Sequence, residues 1–309
     1  MIVTLTINPA IDRILSVDRL AFEDRSYITS VGESAGGRGI NASRVIHSFG
    51  GNTHAVLISG GDTGKRLEEH LADCGYPTTT VTIRNAIRTN LTITDTHGLT
   101  VNLNETGPEL SKSEVKSVEE AVSEALKDAS WLCLCGSLPP GVPSSFYGKL
   151  IAMARRKKVK TLLDADRDPL REGIEQQPTV VTPNQQEAER LLGRTLLTRT
   201  HHLEAAAQIR AMGAESVVLS LGSRGAIGAF PKGLIEALPP RVDALCPIGA
   251  GDALTAAYTW SFTRHKSQAD ALRWGVAAGT ATAQLPGMTF ATLAQVEAVY
   301  RQVEIRRVD

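Results

Sequence analysis

The sequence has no excess of either charge, little cysteine and no long apolar run, and each shortage excludes a class of protein. Its 309 residues include 33 Lys and Arg against 33 Asp and Glu, a formal net charge of +0. A chain without a basic excess lacks the electrostatic footprint of a protein that binds nucleic acid or an acidic membrane. The basic cluster at 155–158 ends an apolar-periodic helix, where cations complement the helix dipole. We therefore expect neither nucleic acid nor a membrane as a partner.

The four cysteines, Cys74, Cys133, Cys135 and Cys246, do not have paired metal-ligand spacing. Two of them alternate inside a short apolar run that is typical of a buried strand. No run of roughly 18 apolar residues occurs, and the first residues carry no basic leader. We therefore expect a cytoplasmic protein with reduced core thiols.

What the sequence does contain is a regular alternation of short β-branched runs with helical patterns. Ala42, Val45, Ile46 and Phe49, for example, share one helix face. The alternation predicts one three-layer α/β/α domain over residues 1–309, with a mostly parallel sheet whose strand carboxyl ends bind ligands. The predicted strands are 2–7, 131–135, 160–164, 179–182, 217–221 and 225–230.

Two stretches, about 12–33 and 88–106, break this pattern. In the second, Leu91 and Ile93 alternate with polar residues before a turn at 95–98 leads back into 99–103. They predict a small β-sheet inserted in the α/β core. One face of such a layer covers the core and the other is exposed, so we expect a lid, a dimer surface, or both.

A glycine-rich loop with Gly37, Arg38, Gly39 and Asn41 leads directly into the first predicted helix. Its backbone N–H groups can face a ligand with little side-chain obstruction. A tight structural turn explains the same glycines, so the loop alone does not identify a site.

A second loop, Gly249, Ala250, Gly251 and Asp252, also opens a helix. Consecutive N–H groups at such a terminus form an anion pocket, and the dipole there favours an ionised carboxylate. Phosphoryl transfer needs a base for the acceptor's proton and dipoles for the moving charge, and this loop supplies both. The alternative is that Asp252 only stabilises the helix by its charge.

Asn184 and Glu187 lie three residues apart where a predicted strand passes into a helix. An amide and a carboxylate in the first turn suit a hydrated Mg²⁺, which proteins commonly hold through water. An ordinary helix start explains the same pair. The chain has no P-loop and no protein-kinase signature, so neither of those nucleotide sites applies.

Six short motifs run along nearly the whole chain. They are Asn-Pro-Ala-Ile-Asp at 8–12, Gly-Gly-Arg-Gly-Ile-Asn at 36–41, Gly-Ser-Leu-Pro-Pro-Gly at 136–141, Pro-Asn-Gln-Gln-Glu at 183–187, Ser-Leu-Gly at 220–222 and Gly-Ala-Gly-Asp at 249–252. In this order they resemble the PfkB sugar kinases of the ribokinase-like superfamily. The first and third are most similar to the phosphosugar branch, which contains 1-phosphofructokinase, tagatose-6-phosphate kinase and the minor 6-phosphofructokinase.

The resemblance implies a ribokinase-like core with a β-sheet lid that often forms a homodimer contact, and ATP with Mg²⁺ as the donor. It implies that Asp252 is the catalytic base and that the N–H groups before it form an anion hole. The matched sugar-binding positions are Asp12, Gly37, Gly39 and Asn41, and the matched phosphosugar positions are Arg38, Arg88 and Ser137. The matched nucleotide-side positions are Thr182, Asn184, Ser220, Gly222, Gly225, Gly279 and Leu285.

Arg25, Arg38 and Arg88 lie in or beside the predicted lid, and a guanidinium fork suits a phosphate better than a neutral sugar. Each of them alone is equally well a solvated surface arginine. Four positions depart from the family pattern: Thr182 replaces a lysine, Asp166 a small hydroxyl residue, and Ala253 and Ala257 stand where Ser and Gly are frequent. These departures affect the expected nucleotide affinity.

The leading hypothesis is a kinase that phosphorylates fructose 1-phosphate, tagatose 6-phosphate or fructose 6-phosphate to a bisphosphate. The second is a kinase of an unphosphorylated sugar or a nucleoside. The third is a sugar-phosphate-binding protein without catalysis.

Overall fold

The computed structural model describes residues 1–21 and 23–308, and two sheets organise them. A ten-stranded sheet forms the core, and a four-stranded sheet, called the small sheet below, lies at one end of it. The core strands are β1 (Ile2–Thr6), β4 (Thr53–Ser59), β5 (Thr78–Thr82), β8 (Trp131–Cys135), β9 (Lys160–Asp164), β10 (Val180–Val181), β11 (Val217–Ser220), β12 (Ala226–Phe230), β13 (Gly233–Leu238) and β14 (Glu304–Val308). The small sheet contains β2 (Ala10–Val17), β3 (Ile28–Gly36), β6 (Arg88–Asp95) and β7 (Thr100–Asn104).

The core sheet has the order β14-β13-β12-β11-β10-β9-β8-β1-β4-β5. The pairings from β11 to β5 are all parallel, whereas β12, β13 and β14 pair antiparallel at one edge. Parallel strands need crossover connections, and helices supply them. The helices are α1 (Arg38–Ser48), α2 (Gly61–Ala72), α3 (Lys112–Ala125), α4 (Phe146–Arg156), α5 (Arg167–Ile174), α6 (Gln185–Leu192), α7 (Arg199–Ala211), α8 (Ala250–His265), α9 (Gln268–Ala283) and α10 (Leu293–Tyr300).

Two hydrophobic cores, one on each face of the sheet, make this a three-layer fold. Strand β8 shows how: Leu132 and Leu134 pack with the helices α2 to α7, while Trp131, Cys133 and Cys135 pack with α1, α8, α9 and α10. A strand that is buried on both faces is a continuous apolar run, which is why β8 is visible in the sequence. The predicted mostly parallel α/β/α architecture is confirmed.

The small sheet is built from two chain segments that leave the core and return to it. Strand β2 is at its centre, antiparallel to β3 and parallel to β6, and β7 pairs antiparallel with β6. The hairpin from β6 to β7 turns at Gly98, which has φ 86°, as the sequence predicts. Among the described residues, no helix is both long enough and apolar enough to cross a membrane.

Candidate active site

Two cavities open at the carboxyl ends of the parallel strands, where an α/β sheet binds its ligands. The main cavity, of about 670 Å³, lies between the core and the small sheet. The side cavity, of about 140 Å³, lies beside it among the ends of β9, β10 and β11 and the start of α8. Arg38 and Asp252 line both cavities, so these two residues stand at their junction.

Asp252 lies in the first turn of α8, which begins after Gly249. Gly249 has φ 80°, a left-handed conformation that favours glycine, and an added Cβ would lie 2.9 Å from the ring of Phe290. Gly251 has open space where a Cβ would be. The two glycines therefore let the chain turn sharply and leave the approach to the Asp252 carboxylate clear.

The protonation of Asp252 is set by its surroundings. Burial, followed by the nearby charge of Asp164, raises the pKa of Asp252 to about 7, while Arg38 and a hydrogen bond from Asn41 oppose that rise. The bond runs from Asn41 Nδ2 to Asp252 Oδ2 at 2.8 Å. A carboxylate with a pKa near neutrality suits a group that takes up a proton and releases it again.

Arg38, at the start of α1, contacts the end of β9 and the first turn of α6. Its guanidinium donates from Nη1 to Asp164 Oδ1 at 2.7 Å and from Nη2 to Glu187 Oε1 at 3.1 Å. Both carboxylates are nearly buried, with side-chain exposures of 8% and 3%, whereas Arg38 is 39% exposed. The charge of Arg38 is thus directed first at these two acids, and its exposed part faces the cavities.

Sugar-compatible groups come from the small sheet. Asp12 on β2 accepts a hydrogen bond from Asn90 Nδ2 on β6 at 2.8 Å, and burial raises the pKa of the Asp12 carboxyl. Gly36 on β3 lies against Asp12, and a Cβ there would overlap the carboxylate. Gly36 is therefore required by a close approach that keeps Asp12 turned into the main cavity.

A second cluster joins the small sheet to the loop after β8. Arg88 donates from Nη2 to the carbonyl of Asn8 and from Nη1 to the carbonyl of Glu105, both at 3.0 Å. Asn8 in turn donates from Nδ2 to Ser137 Oγ at 3.0 Å. Arg88 and Ser137, predicted to lie near a substrate phosphate, thus belong to one network on the main cavity.

Several buried polar atoms of the main cavity have no protein hydrogen-bond partner within residues 1–21 and 23–308. They are Thr6 Oγ1, Asn8 Oδ1, Asn41 Oδ1, Asn90 Oδ1 and Arg88 Nε. Buried polar atoms normally find partners, and atoms without one indicate a place for water or a ligand. The five atoms have almost no accessible surface, so they lie in the wall of the main cavity as hydrogen-bonding capacity that the protein itself does not use.

The side cavity collects the predicted metal and nucleotide residues Thr182, Asn184, Glu187 and Ser220. Asn184 and Glu187 form a capping box at the start of α6: Asn184 Oδ1 accepts from the Glu187 N–H, and the Asn184 N–H donates to Glu187 Oε2, both at 2.9 Å. The helix-start explanation of this pair is thus part of the structure. It does not exclude a second use, because the residues also face the cavity.

Other predicted residues do not line either cavity. Arg25 is exposed in the loop between β2 and β3, and Gly39 is buried where α1 crosses β1, with Thr6 Oγ1 2.5 Å from an added Cβ. Gly279 packs α9 against the carbonyl of Ala250, at 3.0 Å from an added Cβ. The remaining predicted residues outside the cavity linings are Gly222, Gly225, Gly249, Ala250 and Leu285.

The sequence analysis missed Asp164 as a site residue, although its position at the carboxyl end of β9 is the signal that would have identified it. Other residues it missed are Asn8, Asn90, Asn102, Asn104 and Arg167 on the main cavity and Thr255 on the side cavity. The asparagines of β6 and β7 alternate with apolar residues, so they read as the solvent face of a hairpin.

The departures from the family pattern have structural counterparts. Arg190 binds the Asp166 carboxylate in a bidentate manner, with Nη2 to Oδ2 at 2.8 Å and Nε to Oδ1 at 3.1 Å. The negative charge of Asp166 is therefore paired with Arg190 within the protein. Ala253 and Ala257 are 1% and 0% exposed and pack in the core under α8.

Comparison with known proteins agrees with this geometry. Residues 2–294 match the family described as pfkB family carbohydrate kinase. The chain is 31% identical over 302 residues to the ATP-dependent 6-phosphofructokinase isozyme 2 of Escherichia coli, covering 97% of each chain. It is 26% identical over 304 residues to the 1-phosphofructokinase of Vibrio cholerae, covering 98% of this chain and 96% of that protein.

A crystal structure of Escherichia coli phosphofructokinase-2 with potassium superimposes with a TM-score of 0.92 at 31% identity, covering 97% of this chain and 98% of that one. An Arabidopsis thaliana ribokinase complexed with ribose and ATP has a TM-score of 0.78 at 20% identity, covering 97% and 98%, which shows a shared fold. The predicted resemblance is confirmed: the chain belongs to the pfkB family of carbohydrate kinases.

Proposed function

We propose that the chain transfers the γ-phosphoryl group of ATP to a hydroxyl of a phosphorylated ketohexose and so forms a bisphosphate. The observation that carries this proposal is the position of Asp252. Its carboxylate lies at the junction of a cavity rich in hydroxyl-binding groups and a second cavity lined by acids and strand-end polar groups. The relatives named as 1-phosphofructokinase and 6-phosphofructokinase support the phosphosugar as acceptor.

In the proposed mechanism Asp252 takes the proton of the attacking hydroxyl. Asn41 fixes one carboxylate oxygen through its 2.8 Å hydrogen bond, which leaves the other oxygen to receive the proton. A base with a pKa of about 7 is half ionised near neutral pH and remains basic enough to accept a proton as the oxygen attacks. Of the three predicted anion-hole residues only Gly251 lines a cavity, and its backbone N–H at the start of α8 would stabilise the charge on the moving group. The Ala250 N–H already donates to the Pro247 carbonyl at 3.2 Å.

The acceptor is proposed to lie in the main cavity. Asp12, Asn41 and Asn90 would bind its hydroxyls, and Arg88 with Ser137 would hold the phosphate that it already carries. Arg88 keeps its Nε buried and unbonded within the described residues, while its two terminal nitrogens are tied to carbonyls. A guanidinium that is held in this way needs little reordering to bind an anion.

The side cavity fits a hydrated Mg²⁺ as part of the donor. Asp164, Asn184 and Glu187 supply oxygen ligands of the kind that Mg²⁺ prefers. Within the described residues, no group of three or more His, Cys, Asp or Glu side chains is arranged as a metal cage. The ion would therefore keep several waters and bind together with the nucleotide phosphates, and its chemistry would be to neutralise charge on the transferred group.

We further propose that the small sheet acts as a lid over the main cavity and provides the contact surface of a homodimer. The protein is proposed to act in the cytoplasm. The strands and turns of the small sheet carry large apolar side chains that are 51–63% exposed: Tyr27, Ile28, Val31, Leu99 and Leu103. An apolar set of this kind on one sheet favours association. Changing Val31 and Leu103 together to Asp should convert a dimer to a monomer in analytical ultracentrifugation. A wild-type chain that sediments as a monomer at micromolar concentration would contradict the dimer.

The function is tested by ADP release with Mg-ATP against fructose 1-phosphate, tagatose 6-phosphate, fructose 6-phosphate, fructose, ribose and adenosine. We expect one phosphosugar to give the highest kcat/KM, by at least about tenfold over fructose, because a lost charged hydrogen bond costs about 1.5–3 kcal/mol. Equal or higher activity on fructose, ribose or adenosine would favour a kinase of unphosphorylated acceptors. Phosphosugar-dependent melting without ADP release would favour a binding protein.

A further inference from the structure

Among the described non-glycine residues that line the cavities, Arg167 has a positive φ. It is the first residue of α5, and its φ is 56°, in the left-handed region that disfavours side chains. Four other described non-glycine residues have positive φ: Glu23 lies in the loop between β2 and β3, and Lys158, Gln177 and Lys266 each follow within three residues of a helix end. The left-handed conformation is usual there, whereas at a helix start it is not.

The charge of Arg167 is also unfavourable for the helix. A cation in the first turn lies at the positive end of the helix dipole, so it destabilises α5 rather than supporting it. Backbone strain and an adverse charge at one residue, on the wall of a cavity, are typical of a functional position. Neither feature contributes to the fold.

The guanidinium of Arg167 is available to a ligand. Its side chain is 77% exposed, and Nε lies 3.8 Å from Asp166 Oδ2, beyond hydrogen-bonding distance. Asp166 itself is already bound in a bidentate manner by Arg190. Arg190 is therefore the main partner of Asp166, and Arg167, which makes only a longer ionic contact with it, keeps its terminal nitrogens for the main cavity that it lines.

The other two arginines of the main cavity already donate hydrogen bonds to the protein. Arg38 is ion-paired to Asp164 and Glu187, and each terminal nitrogen of Arg88 donates one hydrogen bond to a carbonyl, which leaves it a second N–H for a ligand. Among the described residues that line this cavity, Arg167 is the arginine whose terminal nitrogens make no hydrogen bond to protein.

We propose that Arg167 is a specificity-determining residue that binds the existing phosphate of the acceptor from the core side of the main cavity. Arg167 and Arg88 together then hold this phosphate between core and small sheet, since guanidinium forks match phosphate oxygens. This inference rests on the proposed function, because it takes the main cavity as the acceptor site. It assigns the discrimination between phosphorylated and plain sugar to a residue outside the six sequence motifs.

The test compares Arg167→Ala, Arg167→Gly and Arg167→Lys with Arg156→Ala, an exposed arginine of α4 outside both cavities. For the phosphosugar that the wild type uses best, we expect Arg167→Ala and Arg167→Gly to raise KM about tenfold or more. The KM for ATP and kcat should change by less than about threefold. The lost contact binds the acceptor equally in the ground state and in the transition state, so its loss acts on the acceptor KM. Arg167→Lys should recover part of the affinity, and Arg156→Ala should match the wild type.

Thermal unfolding of the same proteins separates a binding role from a structural one. Glycine relieves the positive φ, so Arg167→Gly should raise Tm by about 1–3 °C while it weakens phosphosugar binding. Arg167→Ala keeps the disfavoured conformation and should not give that rise. A variant that is more stable and yet binds the acceptor worse is not expected from a residue whose role is structural.

Three results would overturn the inference: an unchanged phosphosugar KM in both Arg167→Ala and Arg167→Gly, a rise in the KM for ATP instead, or an equal rise in KM for fructose. Each is read against wild-type turnover. If the wild type releases no ADP with any phosphosugar, the proposed function itself fails. If the wild type is active and the variants equal it, only the role of Arg167 fails.

Discussion

The two cavities differ in how far their polar groups are already satisfied. In the main cavity, five buried polar atoms have no hydrogen-bond partner within the described residues. In the side cavity, Asn184 and Glu187 cap a helix, and Arg38 is ion-paired to Asp164 and Glu187. The wall of the first cavity therefore holds unused hydrogen-bonding capacity beside the pairs Asn41–Asp252 and Asn90–Asp12. In the second cavity the carboxylates are already paired, so the proposed Mg²⁺ would have to exchange with Arg38.

The largest effect is expected at the residue that the cavities share. Asp252→Asn keeps the shape and a hydrogen-bonding oxygen but removes the base, so kcat should fall by roughly 10² or more while the acceptor KM stays within a few fold. Steady-state kinetics with the best acceptor measure both constants. A variant that keeps near wild-type kcat would show that both cavities can be used without this base.

Removing Arg38 tests how much its guanidinium stabilises the protein by pairing with Asp164 and Glu187. Arg38→Ala leaves Asp164 and Glu187 facing each other, and we expect a loss of about 1–2 kcal/mol in the free energy of unfolding, since Arg38 is partly exposed. Because burial already raises the pKa of Glu187, the loss should shrink as pH falls and that carboxyl takes up a proton.

The effect of Mg²⁺ on thermal stability tests the side cavity without any measurement of activity. If Mg²⁺ and the Arg38 guanidinium use the same two carboxylates, Mg²⁺ should raise the Tm of Arg38→Ala more than that of the wild type. Arg156→Ala serves as the matched loss of one charge. Equal Tm shifts in all three proteins would show that Mg²⁺ does not use this pair.

The pH dependence of kcat gives the next effect. Asp252 must be ionised to accept a proton, and its pKa is about 7, so kcat should fall tenfold per pH unit well below 7 and level off above it. The activity is thus present above the pKa of Asp252 in the folded protein and is lost as the pH falls through that pKa. A flat profile between pH 5.5 and 8 would exclude this assignment.

The smallest effect is expected from Asn41→Ala. The hydrogen bond from Asn41 lowers the pKa of Asp252, so its removal should move the midpoint of the pH profile upward. At a pH well above that midpoint, kcat should fall less than in Asp252→Asn. The shift is measured by comparing the pH profiles of kcat for Asn41→Ala and the wild type. A downward shift of the midpoint would contradict the prediction.

The sequence was sufficient for several strands that are buried on both faces, although β4, which is also almost wholly buried, was not predicted. Strands β8 and β9 were predicted to the residue, because a continuous apolar run allows one interpretation. Strands β5, β13 and β14 at or near the edges of the core sheet were not predicted either. β5 alternates between exposed and half-buried threonine-rich positions, and β14 is an edge strand rich in charge, so neither contrasts with a loop.

The same limit applies to the site. Asp252 was accessible to sequence reasoning because glycines mark its loop, and Arg88 because it falls in a segment that breaks the α/β pattern. The role of Asp164 was not, because it depends on Arg38, 126 positions away in the chain. Arg167 was not, because its positive φ and its place on the cavity wall are properties of the folded chain. Residues whose role depends on such pairs become visible only when the fold brings them together.

Asn8 has a further consequence for redesign. Its side chain donates to the Thr106 carbonyl and to Ser137 Oγ, both at 3.0 Å, so it ties the chain entering the small sheet to the chain leaving it and to the core. The small sheet consists of two continuous inserts, Ala10–Gly36 and Arg88–Asn104. Both inserts could therefore be exchanged together with those of a relative, with Asn8 retained as the joint. The exchange would replace Asp12, Arg88 and Asn90 of the main cavity, while Arg167 and Asp252 stay in the core.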